Sequence, residues 1–160
     1  MKYSPNGRFL VSIGYDGFVK LWDNITGTHE QLQEWNLREV VARELTADVP
    51  KFCISACSTY IVVAVGTCVF LKDVERGGKT IAFIQLNENW TLIKNIMFSP
   101  DDRAVFICCN GTIKVWRPFF YDDDEDRLIT LTNKSHPSGT HYSAYNTYKF
   151  SNDNTMVAIH

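Results

Sequence analysis

Three groups of residues in this sequence are of types that can do chemistry. Gly77-Gly78-Lys79-Thr80 ends like a phosphate-binding loop, in which backbone N–H groups and a lysine cradle phosphate where a helix begins. The first glycine of that pattern would fall at Asp73, and the run lies between two strand-like segments, so it reads as a turn between outer strands. Asp122, Asp123, Asp124, Glu125 and Asp126 follow one another after Tyr121. Clustered carboxylates can hold a divalent ion, but a calcium loop needs Gly at its sixth and Glu at its twelfth position, and neither is present. Like charges repel and stay solvated, so the run is expected to be a loop over residues 121–126, with docking of a basic partner as the functional reading. His29, His136, His141 and His160 are scattered, no Ser/His/Asp set can be assembled, and no strand-turn-helix nucleophile elbow occurs. No catalytic, cofactor-binding or metal-binding residue is assigned, and the chain is expected not to be an enzyme.

Composition narrows the classes further. The 160 residues are 45% hydrophobic and 21% charged with a net charge of −2, which suits one folded domain and gives no basic footprint for nucleic acid. Apolar runs such as Ile61 to Val65 are far short of the ~18 residues of a membrane helix. No basic segment followed by an apolar stretch marks a secretory signal. The cysteines Cys53, Cys57, Cys68, Cys108 and Cys109 are odd in number and form no CxxC pair. They are expected to be reduced and mostly buried in an intracellular, cytoplasmic protein. Cys108 and Cys109 point to opposite faces of a strand, so at most one of the two is expected in the core.

The elements that position these residues are strands in a repeat. Ser4, Ser55, Ser99 and Ser151 open the same phrase, a turn followed by an apolar run, at intervals of 44 to 52 residues. After each serine the apolar residues alternate. In the first unit Phe9–Ile13 and Phe18–Trp22 flank Gly14-Tyr15-Asp16-Gly17, where Asp-Gly signals a hairpin because glycine accepts positive φ. In the third unit Ala104–Cys108 and Thr112–Trp116 flank Asn110-Gly111, the favoured type I′ pair. The second unit is a compressed version, Tyr60–Val65 and Thr67–Leu71 around Gly66. Further runs at Glu30–Leu37, Thr80–Leu86 and Arg127–Leu131, and at Val49–Ile54, Leu92–Phe98 and Tyr142–Phe150, complete four antiparallel strands per period. Segment Arg38–Asp48 has room for a helical turn.

Four-stranded units at this period form a β-propeller, and here the residues carry a family resemblance. Asp16-Gly17-Phe18-Val19-Lys20-Leu21-Trp22-Asp23 resembles the signature end of a WD40 repeat, and Gly111-Thr112-Ile113-Lys114-Val115-Trp116-Arg117 resembles a second copy. Phe70-Leu71-Lys72-Asp73 stands where the second unit would have Leu-Trp-Asp. His141 lies nine residues before Phe150, at the family's histidine spacing. Turn-to-turn distances from Asp16 through Gly77 are also similar to those of transducin β-like proteins. The resemblance implies a structural signature at Asp16, Trp22, Asp23, Asn110, Trp116 and His141. Its hydrogen-bonded cluster would join a histidine, a turn aspartate, a strand Ser/Thr and the tryptophan.

The expected fold is all-β, a propeller segment of about three and a half blades over residues 1–160. The blades are set at approximately 1–37, 49–87, 91–132 and 142–160, the last incomplete. Rings close with ~4–8 blades, so the remaining blades are expected outside this chain. The resemblance implies a non-catalytic scaffold for protein or peptide partners, with the long connections 38–48 and 133–141 and the acidic loop 121–126 grouped as one candidate surface. The alternative is a propeller-based enzyme, or a docking or metal site at the acidic loop. A nucleic-acid or phosphoinositide binder would need a basic stripe, and Lys and Arg are dispersed.

Overall fold

The computed structural model describes residues 1–37, 50–86, 93–109, 112–119, 127–132, 148–150 and 157–159. Among them are strands and turns and no helix, hence none long and apolar enough to cross a membrane. The helical turn expected in 38–48 lies outside the described residues. Strands β1 (Lys2–Tyr3), β2 (Phe9–Ile13), β3 (Phe18–Asp23) and β4 (Gln31–Asn36) form the first sheet in that order. The second is β5 (Lys51–Ile54), β6 (Tyr60–Val65), β7 (Cys68–Asp73) and β8 (Lys79–Gln85); the third is β9 (Asn95–Phe98), β10 (Val105–Cys109), β11 (Thr112–Trp116) and β12 (Leu128–Thr132). A two-stranded sheet, β13 (Tyr148–Phe150) with β14 (Val157–Ile159), follows. Every pairing is antiparallel between strands consecutive in sequence. The expected propeller segment of four-stranded blades is what the chain forms.

Turn chemistry sets the hairpins. The first turn is longer than a two-residue loop: Gly14 donates to Phe18 O at 3.1 Å and only Gly17 has positive φ, 78°. That is a three-residue connection whose glycine occupies the left-handed position. In the second sheet Val65 pairs with Cys68, leaving Gly66 (φ 58°) and Thr67 between them, the II′ pattern. Cys109 pairs with Thr112 in the third sheet, again two residues apart, and Asn110-Gly111 lie outside the described residues.

Because side chains alternate along each strand, every sheet has a rear face and a forward face. The forward face of the first sheet (Phe9, Val11, Val19, Leu21, Trp35, Leu37) packs on the rear face of the second (Phe52, Ile61, Val63, Phe70). The forward face of the second (Cys53, Val62, Ala64, Val69, Leu71) packs on the rear of the third (Ile96, Phe98, Val105, Ile107, Trp116). Each fully buried aliphatic side chain contributes ~1.5–3 kcal/mol, so these two interfaces are the core. Sheet stacking also corrects the expectation for the vicinal cysteines. Cys109 lies between sheets two and three, while Cys108 sits on the opposite face with Ile113, Met97 and Phe106, and both are buried. A strand covered on both faces buries both of its neighbours.

Candidate interaction surface

The residues that read as chemical are built into the scaffold. Asp16 accepts the Phe18 N–H through Oδ1 at 3.1 Å and caps its turn. Trp22 Nε1 donates to Ser12 Oγ at 2.8 Å, across paired strands. Asp23 accepts the N–H groups of Ile25 (3.2 Å) and Thr26 (2.9 Å) and the Thr26 hydroxyl, which hold its carboxyl below the usual carboxylate range. Trp116, the counterpart of Trp22, is buried between sheets two and three. Asn110, His141 and the acidic residues Asp122, Asp123, Asp124, Glu125 and Asp126 lie outside the described residues. No cluster of His, Cys, Asp and Glu suited to a metal ion occurs among the described residues.

Register divides the connections between the two ends of the sheets. Trp116 pairs with Leu128 and with Val105, so the connection carrying 121–126 leaves at the end of the third sheet that bears the Ser99 turn. Asn36 pairs with Phe18, and Thr132 with Thr112, so the long connections after β4 and β12 leave at the opposite end. The described strands that flank the two long connections and those that flank the acidic run thus end at opposite ends of the sheets, and residues 38–48, 133–141 and 121–126 themselves lie outside the described residues. Alternating strand direction forces this: successive connections exit at opposite ends.

At the end bearing the serine turns, one motif occurs three times. Ser4, Ser55 and Ser99 each accept, through Oγ, the N–H five residues on (Phe9 3.1 Å, Tyr60 2.9 Å, Ala104 2.9 Å). Each serine N–H also donates to the carbonyl of that same residue. The fourth residue of each turn is left-handed: Gly7 (φ 70°), Ser58 (φ 64°) and Asp102 (φ 59°). A non-glycine residue there is strained by ~1–2 kcal/mol, and both side chains have a use for it. Ser58 Oγ accepts the N–H of Asn6 at 3.1 Å, and the Asp102 carboxylate accepts those of Ala56 (2.7 Å) and Cys57 (2.8 Å). Ser58 and Asp102 thus each reach back to the turn of the preceding sheet, clasping neighbours together.

A second set of contacts locks the first two sheets at their outer rim. Trp35 Nε1 donates to Gly77 O at 3.2 Å and Gln33 Nε2 to Val74 O at 3.2 Å. Lys72, at the position held by Trp22 and Trp116 in the other sheets, is buried. It donates to Gly78 O (3.2 Å) and Thr80 Oγ1 (3.1 Å), with its ammonium 5.5 Å from the centre of the Trp35 ring. Burial lowers its pKa. Gly77-Gly78 is thus a turn that seats a tryptophan, and Lys79 and Thr80 begin β8. At the inner rim Lys2 Nζ donates to Phe52 O at 3.0 Å.

Sequence reasoning missed Ser58, Asp102, Lys72 and Trp35. Aligning the serine phrases would have found the first two, since the fourth position reads Gly7, Ser58, Asp102 and Asn154, mostly types that tolerate left-handed backbone.

The family described as WD domain, G-beta repeat matches residues 1–23 and 79–117. These two stretches match the WD40 repeat. The WD40 match runs through β1–β3 and then from β8 through β11, so its second part begins on the outer strand of one sheet and ends on the third strand of the next. No curated protein sequence matches the chain. Among solved structures, the RRP9 WD40 repeats superpose with a TM-score of 0.60 at 11% identity, covering 84% of this chain and 38% of that one. The chain thus spans little more than a third of that protein's WD40 structure, and the likeness concerns the fold.

Proposed function

We propose that this chain is part of a non-catalytic WD40 scaffold that binds protein partners through the turns at the ends of its sheets. The observation that carries the reading is the clasped set of serine turns. Their backbones are tied to one another by Ser58 and Asp102, while Arg8, Cys57, Asp101 and Arg103 face outward from the same turns. Binding side chains held on a rigid frame lose little entropy on association. Within this surface the acidic run Asp122–Asp126 is the docking element for a basic segment, and further blades outside this chain complete the propeller. Five cysteines, none in a disulfide, support an intracellular setting.

The test is recovery of partners on the immobilised chain, at low and high salt, beside a version lacking residues 121–126. Partners that bind the intact chain and fall away with salt or with the deletion support the reading. Recovery equal to that of an unrelated propeller defeats the scaffold reading, and equal recovery by both versions removes the acidic run from it.

A further inference from the structure

Strands β4, β8 and β12 each lie last in their sheet, hydrogen-bonded to a neighbour on one side only. Proteins blunt such edges with charges, prolines or short strands, because an open edge is a template for another strand. β4 carries Glu34 beside Gln33, and β12 exposes one large apolar side chain, Leu131. β8 is different. It is the longest described strand, at seven residues, and it exposes both Ile81 (37%) and Phe83 (49%). Residues 80–85 include no charge, proline or glycine. The β-bulge falls opposite Leu71 and Lys72, so residues 82–85 are regular strand. Leu86 N–H donates to Thr67 O at 2.9 Å, toward β7. Backbone groups alternate along an antiparallel strand, so Ile84 also turns to β7, and the N–H and C=O of Phe83 and Gln85 point outward.

We propose that the β8 edge takes up an extended segment of a partner protein as a fifth, antiparallel strand, apolar along its length and acidic toward its C-terminal end. The edge itself specifies this occupant. Alternating outward donors and acceptors are met in full by another strand, and antiparallel is the sense of every pairing in the chain. Phe83 stands beside Phe70 on the rear face, with ring centroids 5.0 Å apart. A residue of the added strand opposite Phe83 extends that apolar row, and cross-strand apolar pairs are stabilising. Lys79 begins β8, is exposed, and has no ion pair among the described residues. In an antiparallel segment the residue that meets Lys79 lies C-terminal to the one that meets Phe83, so charge complementarity puts the carboxylate there. Further blades do not compete for this position, because both interfaces inside the chain join sheet faces and leave the edges open. The scaffold reading concerns the turns at the sheet ends, and this edge lies apart from them.

Fluorescence anisotropy tests this on the full chain, with a labelled peptide of alternating valine and threonine that ends in a pair of aspartates. The wild type is expected to bind it with Kd below ~1 mM. Gln85→Pro removes one outward N–H and leaves the bonds to β7 whole, so binding should weaken about tenfold. Lys79→Glu should weaken it about threefold and shift preference to the same peptide ending in lysines. Lys79 is exposed, so its variant folds even where Gln85→Pro does not. No binding of the wild type at ~1 mM peptide, or binding that Lys79→Glu leaves unchanged toward both peptides, overturns the proposal. Self-association of the chain that Gln85→Pro abolishes would assign the edge to a second copy and overturn it equally.

Discussion

The indole N–H of Trp35, on the outer strand of the first sheet, donates to the carbonyl of Gly77 in the second sheet at 3.2 Å, and the Trp35 ring lies directly on Gly78. A Cβ on Gly78 would overlap that ring, whereas one on Gly77 would meet nothing within 4 Å. Both glycines have positive φ, 72° and 66°. Gly78→Ala is therefore expected to destabilise by about 3 kcal/mol, strain plus the clash, and Gly77→Ala by about 1 kcal/mol from strain alone. Urea midpoints of the two variants decide it; equal losses would mean that the ring simply moves aside.

Asp102 joins the second and third sheets by two charge-assisted bonds from a left-handed position. Asp102→Ala is expected to lower stability by about 2 kcal/mol, since it keeps the strain and loses both acceptors. Asp102→Gly, which relieves the strain, should recover about 1 kcal/mol of that loss. Chemical denaturation of the pair separates the clasp from the backbone conformation.

Thiol accessibility follows from burial. Cys57 is exposed, and Cys53, Cys68, Cys108 and Cys109 are buried. A maleimide is expected to modify one thiol of the native chain quickly and all five after denaturation, counted by mass spectrometry. Rapid native labelling of a second cysteine would show that a sheet interface opens.

Burial pushes the Cys53 and Cys108 thiols up to about 12 from 9.0, and desolvation raises the Tyr60 pKa as well. Below pH 9 these groups hold their protons folded or unfolded. Above it the unfolded chain releases protons that the native chain retains, so stability falls as pH climbs from 9 toward 12. Cys53→Ala is expected to flatten that fall while weakening the core at neutral pH, as thermal melts across the range would record.

Lys72 works in the opposite sense. Desolvation lowers its pKa from 10.5, so the native state disfavours the ammonium and gains stability as pH rises toward 10.5. Lys72→Met keeps the stem over Trp35 and removes the charge. Its stability relative to wild type should be greatest at neutral pH and shrink toward pH 10.5. A constant difference across the range would mean that the ammonium is fully solvated.

Strands with period-two alternation between turn residues were legible. Phe9–Ile13, Tyr60–Val65 and Thr112–Trp116 form as expected, because the alternation and the Gly-bearing turns act over a few residues. Asp16 and Trp22 make their hydrogen bonds, to Phe18 and Ser12, over the same short range. Contacts between sheets were not legible. Trp35 meets Gly77 across 42 residues and Asp102 meets Ala56 across 46, and only the stacking of sheets reveals such partners. Ser58 in a left-handed turn was hidden by its residue type, and the burial of both Cys108 and Cys109 by the assumption that a sheet has one wet face. The acidic run was conspicuous as composition, yet the end of the sheet at which its flanking strands stop follows only from strand register.

The backward reach of Ser58 and Asp102 gives the repeat a grammar. Each unit supplies the acceptor for the one before it and the N–H groups for the one after, so a duplicated unit arrives already able to join its parent. A copy carrying glycine at that position, as the first unit does with Gly7, can follow no other unit through this link. Shuffling these units is thus constrained by one side chain per turn, and a designer extending the array would choose Asp over Gly there.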